Sequence, residues 1–213
     1  MSVSEKVAAA FDEAARMQPD LRTSWLRVSV CLGGALPAST LMSSVQRDGE
    51  LDLVLRCMED ERTIELARGP QGLPEPPPQQ MLSEMWVGSV YESLRIVERE
   101  GAIATDDVRS LTEDFRLLRV PLEKHQIAFE KDKLSAPLTL QKTPPKGDQT
   151  DIYVYDKADP KRAHIMPTKL STRGSLMWFV TDLKTGEDRW IERRSLSERM
   201  IALFDRGPAS PAS

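Results

Sequence analysis

The chain has only two cysteines and two histidines among its 213 residues, and that scarcity removes several classes of protein at once. Cys31 and Cys57 can close at most one disulfide, too few for a stapled scaffold, and a chain of this length has core enough without one. They read as reduced, buried thiols behaving as small hydrophobes. His125 and His164 lie 39 positions apart and the cysteines 26 apart, so neither pair has the close spacing of a zinc site. Glycine is also thin. The only close ones, Gly33-Gly34 and Gly69 with Gly72, lack the spacing of a phosphate-cradling loop, and there is no Gly-x-Ser-x-Gly elbow. The expectation is therefore no metal and no cofactor. No apolar run approaches the roughly 18 residues a membrane helix needs, and the opening MSVSEKVAAAFDEAARM has neither the basic start nor the continuous apolar stretch of a secretory signal. These absences predict a cytoplasmic protein with no membrane partner.

What is present has the proportions of a folded chain. The 40% apolar and 29% charged content is near the globular average of about 45–50% and 25%. The net charge of -4 hides a mild asymmetry: residues 139–213 carry 13 basic against 10 acidic side chains, leaving 16 against 23 in residues 1–138. Such a split can mark a surface facing nucleic acid, although in RWIERRSLSER the signs are interspersed, as on a solvated mixed surface.

The fold class expected from the pattern is α+β: a central helical hairpin, flanking β-hairpins and a short C-terminal helix. Val3, Val7, Ala10, Phe11 and Ala14 recur at helical spacing behind Ser2 or Ser4 as caps, and Pro19 closes that element. The period from Leu21 to Val45 is ambiguous. Leu51–Met58 and Thr63–Ala67 flank the polar Glu59-Asp60-Glu61-Arg62 and read as a β-hairpin, completing a first unit at residues 1–68. The stretch GPQGLPEPPPQQ, residues 69–80, holds five prolines in twelve positions and reads as an extended linker, with no helix or paired strand between Pro70 and Pro78.

A helical hairpin follows at residues 81–134. Leu82, Trp86, Val90, Leu94 and Val97 mark one buried face, and Gly101 is the natural C-cap. The second helix opens at Thr105 with Asp106 and Asp107 in its first turn. Val108, Leu111, Phe115, Leu118, Leu122, His125 and Phe129 alternate spacings of three and four, a heptad seam that Pro121 kinks or restarts. Residues 135–206 read as a small β element with a closing helix. The tract LSAPLTLQKTPPKGDQ is loop-like, Ile152–Tyr155 alternate as a strand, and Leu176–Val180 pair with Trp190-Ile191 across a turn near Gly186. A turn centred on Lys184 would set Trp178 opposite Trp190 on one apolar face directed at the helices. Residues 207–213 form a Pro/Ala/Ser tail, expected to be disordered.

One segment can carry chemistry. Arg119 and His125 stand in RLLRVPLEKH, where the cation would stabilise a phosphorane and the imidazole would serve as acid and base near neutral pH. Here the sequence resembles the HEPN helical family over about residues 81–130, whose ribonuclease members pair an Arg with a His a few positions later. That resemblance implies metal-independent RNA cleavage with Arg119 and His125 as the active pair. The chain departs from the family where a polar residue usually follows the Arg, since Val120 and Pro121 stand there. Six residues also advance a straight helix by about 600°, turning the two side chains roughly 120° apart. The alternative is structural: His125 in the apolar seam and Arg119 paired with Glu123 one turn on.

A second cluster, Arg162, His164, Lys169 and Arg173, forms a basic connection that can meet phosphate. Three readings follow: a noncatalytic interaction module with a protein partner or self-association through the heptad seam, a HEPN-like ribonuclease, or a nucleic-acid-binding regulator using the C-terminal basic segment.

Overall fold

The computed structural model describes residues 1–69, 77–103, 105–130, 138–141, 152–156, 158–159, 164 and 166–205. Over these residues the chain is a mostly helical α+β protein. The helices are α1 (Val3–Met17), α2 (Pro19–Ala35), α3 (Leu41–Ala67), α4 (Pro77–Arg99), α5 (Asp106–Lys124) and α6 (Arg193–Phe204). Strands β1 (Leu138–Gln141) and β2 (Ile152–Tyr155) form one antiparallel pair; β3 (Thr168–Leu170), β4 (Leu176–Asp182) and β5 (Glu187–Glu192) form a second, three-stranded antiparallel sheet with β4 in the middle. No described helix is long and apolar enough to cross a membrane.

The first helix begins as its sequence dictates. The Ser2 hydroxyl accepts from the Glu5 N–H, and the Glu5 carboxylate reaches back to the Ser2 N–H, a reciprocal capping box. Pro19 does end α1, but it also opens α2 at a position where the missing N–H costs nothing. The same asymmetry overturns part of the linker expectation. Pro77 and Pro78 lie in the first turn of α4, so helix begins inside the proline tract, while residues 70–76 lie outside the described residues.

The expected β-hairpin at 51–67 is wrong. That segment is the second half of α3, a 27-residue helix, and the polar Glu59–Arg62 stretch is helical rather than a turn. Asp48, Asp52, Leu55, Arg56 and Glu59 recur on the buried side of α3. The stripe has helical period but is largely ionic, so apolar periodicity does not reveal it.

α4 and α5 are consecutive and pack on one another. α4 ends in a Schellman motif: Gly101, at φ +64°, donates to the Glu98 carbonyl, and Ala102 donates to that of Val97. Trp86, Val90, Leu94 and Val97 on α4 and Val108, Leu111, Phe115 and Leu118 on α5 are all buried, as their spacing requires. The seam stops earlier than expected. α5 runs through Pro121 to Lys124, His125 caps it in the left-handed region at φ 53°, and Phe129 lies in a following turn at φ 62°. The loop-like reading of 134–149 is corrected at Leu138–Gln141, which is β1.

In β4–β5, Asp182 opposes Glu187, so Phe179 faces Trp190 and Trp178 faces Ile191. The Trp178–Trp190 opposition that a turn centred on Lys184 would give is therefore one residue out, and a shift of one reverses the face. Trp178 lies inward with Leu176, Val180 and Ile191, all buried. Trp190 is outside, its ring 5.2 Å from that of Phe179 and 4.0 Å from the Lys169 ammonium.

The turn between β3 and β4 presses on α3. Gly174 has φ +68°, and a Cβ there would lie 2.1 Å from the Glu59 carbonyl oxygen. Its own carbonyl accepts from Gln79 Nε2 at 2.7 Å, fastening α4 to the same point. Gly174→Ala combines left-handed backbone with a backbone collision, and is expected to cost about 2–4 kcal/mol in chemical denaturation. A midpoint within error of the parent would show that this turn does not hold the sheet to α3.

Candidate functional site

The centre of the molecule is an ion cluster whose inner members, Arg193, Asp52 and Glu59, are sealed from solvent. Arg193, the first residue of α6, is completely buried. Its Nε and Nη2 donate to the two Glu59 oxygens at 2.6 and 2.8 Å, and its Nη1 donates to Asp52. The guanidinium lies 5.2 Å from the Trp86 ring centroid. Asp52 also accepts from Trp25 Nε1 at 2.8 Å and the Ser197 hydroxyl at 2.7 Å. Arg56 extends the cluster, donating to Ser197 at 3.0 Å and Glu198 at 3.2 Å. Burial resists ionisation of Asp52, yet Arg193 and Arg56 hold its carboxyl below the ordinary range. Desolvation likewise opposes the Arg193 charge, and Asp52 and Glu59 overcome it and raise its pKa. Arg193, Asp52 and Glu59 are fully buried and out of a ligand's reach, while Glu198 at the edge of the cluster is exposed; together these contacts fasten α2, α3, α4 and α6.

The surface site lies where α3, α4 and the end of α5 leave an open groove of about 680 Å³. Leu41, Met85, Ile96 and Leu122 supply apolar lining, and Glu84, Glu92 and Glu123 supply carboxylates. Met85 is 60% exposed, and Met81, one turn earlier on α4, is 56% exposed. Glu92 is bridged to Arg95 and Arg119, and Glu123 to Arg119, whereas Glu84 accepts only from Gln80 Nε2 among the described residues.

Ser89 and Ser93 line the groove and donate to the buried Asp48 carboxylate at 2.5 and 3.5 Å. Desolvation pushes the Asp48 pKa up to about 6, outweighing the two hydroxyls and Arg47. Because this carboxyl is harder to ionise folded than unfolded, its protonated form contributes stability fully present below about pH 3.8 and lost as pH rises through about 6. Asp48→Asn is therefore expected to raise stability at pH 7.5 by about 1–3 kcal/mol relative to its effect at pH 4. Equal effects at both pH values, in paired urea titrations, would contradict a strained carboxylate.

The sequence-derived pair is separated. Arg119 spans the α4–α5 seam, held by Glu92 and Glu123 at 3.3 and 2.7 Å with its guanidinium 5.4 Å from the Tyr91 ring centroid. His125 is exposed rather than buried in the seam, and it lines a different cavity of about 270 Å³ that Arg119 does not line. Of the basic set, Arg162 lies outside the described residues. Lys169 rests on Trp190, and Arg173 is committed to Glu192, Glu198 and the Ser195 hydroxyl. Burial resists ionisation of Glu192, but hydrogen bonds from Arg173, Ser171 and Ser195 bring it to about 2. His164 is buried beside Tyr155 and shares the smaller cavity with His125. The groove and Asp48 carried no sequence signal, because their residues come from three helices and include ordinary serines and glutamates.

Fold and site together define a mostly helical α+β protein with a surface groove and an ionic core. No family model, curated protein or solved structure matches the chain.

Proposed function

We propose that the chain is a noncatalytic, cytoplasmic protein-interaction module whose docking surface is the groove between α3, α4 and α5. The observation supporting this reading is the pairing of exposed methionines with carboxylates. Met81 and Met85 present flexible, polarizable side chains beside Glu84, which has no cationic partner among the described residues. An amphipathic partner segment with a Lys or Arg next to an apolar side chain complements that surface, gaining apolar burial and a charge pair.

The test is quantitative affinity capture with the parent chain, a Glu84→Lys/Met85→Glu variant and a Val7→Glu control on the exposed face of α1. A partner held by the parent and the control, and weakened at least about tenfold by the groove variant, is the expected result. Equal retention by the groove variant would remove the groove from the reading. RNA incubated with the chain in a chelator distinguishes the other classes. Shortening that disappears in His125→Ala would establish the ribonuclease reading instead, and salt-sensitive retardation without shortening would establish a nucleic-acid binder.

A further inference from the structure

α1 carries an apolar stripe that its own chain leaves largely bare. Val3, Val7, Ala10, Ala14 and Met17 follow one another at spacings of four, three, four and three, so they share one face of the helix in the manner of a heptad seam. α1 packs on α3 and lies beside α2, yet of this stripe only Ala14 is buried. Val3 is 78% exposed, Val7 51% and Met17 56%, and Ala10 is exposed as well. The seams of α4 and α5 are different, since Val90 and Leu94 on one and Leu111 and Phe115 on the other are fully buried within the chain. A row of apolar side chains on one helix face is stabilised by being covered.

The flanking charges say what covers it. With Val7 and Ala14 at a and Val3, Ala10 and Met17 at d, the g positions are Lys6 and Glu13, and Phe11 and Gln18 stand at e. A parallel pair of such helices sets each g against the e residue five positions on, Lys6 against Phe11 and Glu13 against Gln18, which brings no opposite charges together. An antiparallel pair sets g against g. Lys6 then faces Glu13 of the second copy, and the two-fold axis repeats the pair with the roles exchanged. The same register opposes Val7 to Ala10 of the second copy, a larger side chain to a smaller one, on both sides of the axis. Lys6 makes no ion pair among the described residues, and Glu13 is bridged to the exposed Arg16 on its own helix.

We infer that α1 is a self-association surface, pairing antiparallel with α1 of a second copy through Val3, Val7 and Ala10, in a register set by Lys6 and Glu13. Such an interface uses the same patch on both copies, so it closes at the dimer. The contact is short and its charges are exposed, which makes the dimer reversible and weaker at high salt. It is independent of the groove, to which α1 contributes no residue.

The experiment is sedimentation equilibrium of the full chain from about 10 to 500 μM, a range that spans weak dimers. The expected result is a monomer–dimer equilibrium in the parent, weakened at least about tenfold by Val7→Glu, which places a carboxylate in the seam. Lys6→Glu and Glu13→Lys should each weaken the dimer by setting like charges together, and the double reversal should restore it. Loss of structure does not account for that pattern: Lys6, Val7 and Glu13 are exposed, and both reversals suit the helix dipole. The groove variant Glu84→Lys/Met85→Glu should dimerise like the parent, so self-association and groove docking fail separately. A parent that stays monomeric over the whole range overturns the proposal, as does a dimer indifferent to Val7→Glu. A dimer lost in Val7→Glu whose single charge reversals are not mended by the double reversal overturns the antiparallel register.

Discussion

Arg193→Met is expected to lower the unfolding free energy by about 3–5 kcal/mol, the cost of removing one partner from a buried ion pair. The reason is what remains. Asp52 and Glu59 are both fully buried, and without the guanidinium Glu59 loses two charge-assisted hydrogen bonds while Asp52 keeps only Arg56, at 3.7 Å, as a cation. The pH dependence is the discriminating reading. In the parent, the lowered Asp52 pKa contributes stability that is present above about pH 3.8 and lost as pH falls through the folded value. In the variant the orphaned carboxylates gain from protonation, so acidification from pH 7 to 5 should narrow the gap to the parent. The triple variant with Asp52→Asn and Glu59→Gln should recover much of the loss. A single variant within about 1 kcal/mol of the parent would mean that water reaches the cluster.

Trp178→Ala is the second large effect, again about 3–5 kcal/mol, from deleting a fully buried indole on the inner face of β4 where the sheet meets α5. The indole N–H has no hydrogen-bond partner among the described residues. Trp178→Phe therefore removes an unsatisfied donor along with part of the ring, and should cost clearly less than alanine. Trp190→Ala should be milder still, because that ring lies on the outer face against Phe179 and Lys169. A denaturant midpoint for Trp178→Ala equal to that of Trp190→Ala would reverse this assignment of faces.

These contrasts show why some elements are legible in the sequence. α4 and α5 announce themselves because their buried stripes are apolar and their ends carry Gly101 and Thr105, whereas α1 is legible from its Ser2 cap and spacing although of that face only Ala14 is buried and Val3, Val7 and Ala10 are exposed. β4 and β5 are visible from alternation, yet their register turned on one residue in the turn, which decided whether Trp190 or Ile191 shares the core with Trp178. α3 is illegible for the opposite reason. Its inward stripe of Asp48, Asp52, Arg56 and Glu59 looks like surface until Arg193, Ser197, Ser89 and Trp25 supply the partners.

The candidate sites divide in the same way. Arg119 and His125 have a suggestive spacing along one stretch of sequence, but the end of α5 at Lys124 and the ion pairs of Arg119 send them to different surroundings. His125 and His164 stand 39 residues apart in the sequence, a separation the chain closes with one backbone hydrogen bond.

The sequence by itself determined the α+β class, the paired apolar faces of α4 and α5, the capping of α1 and the shortage of cofactor motifs. Local propensity and apolar period act over a few residues, so one stretch of chain contains them. Only tertiary structure decided which charges are core, which face of β4 is inside and which residues share a cavity. Partners 134 and 141 positions apart, Arg193 with Glu59 and with Asp52, satisfy one another through desolvation and geometry that no local pattern encodes.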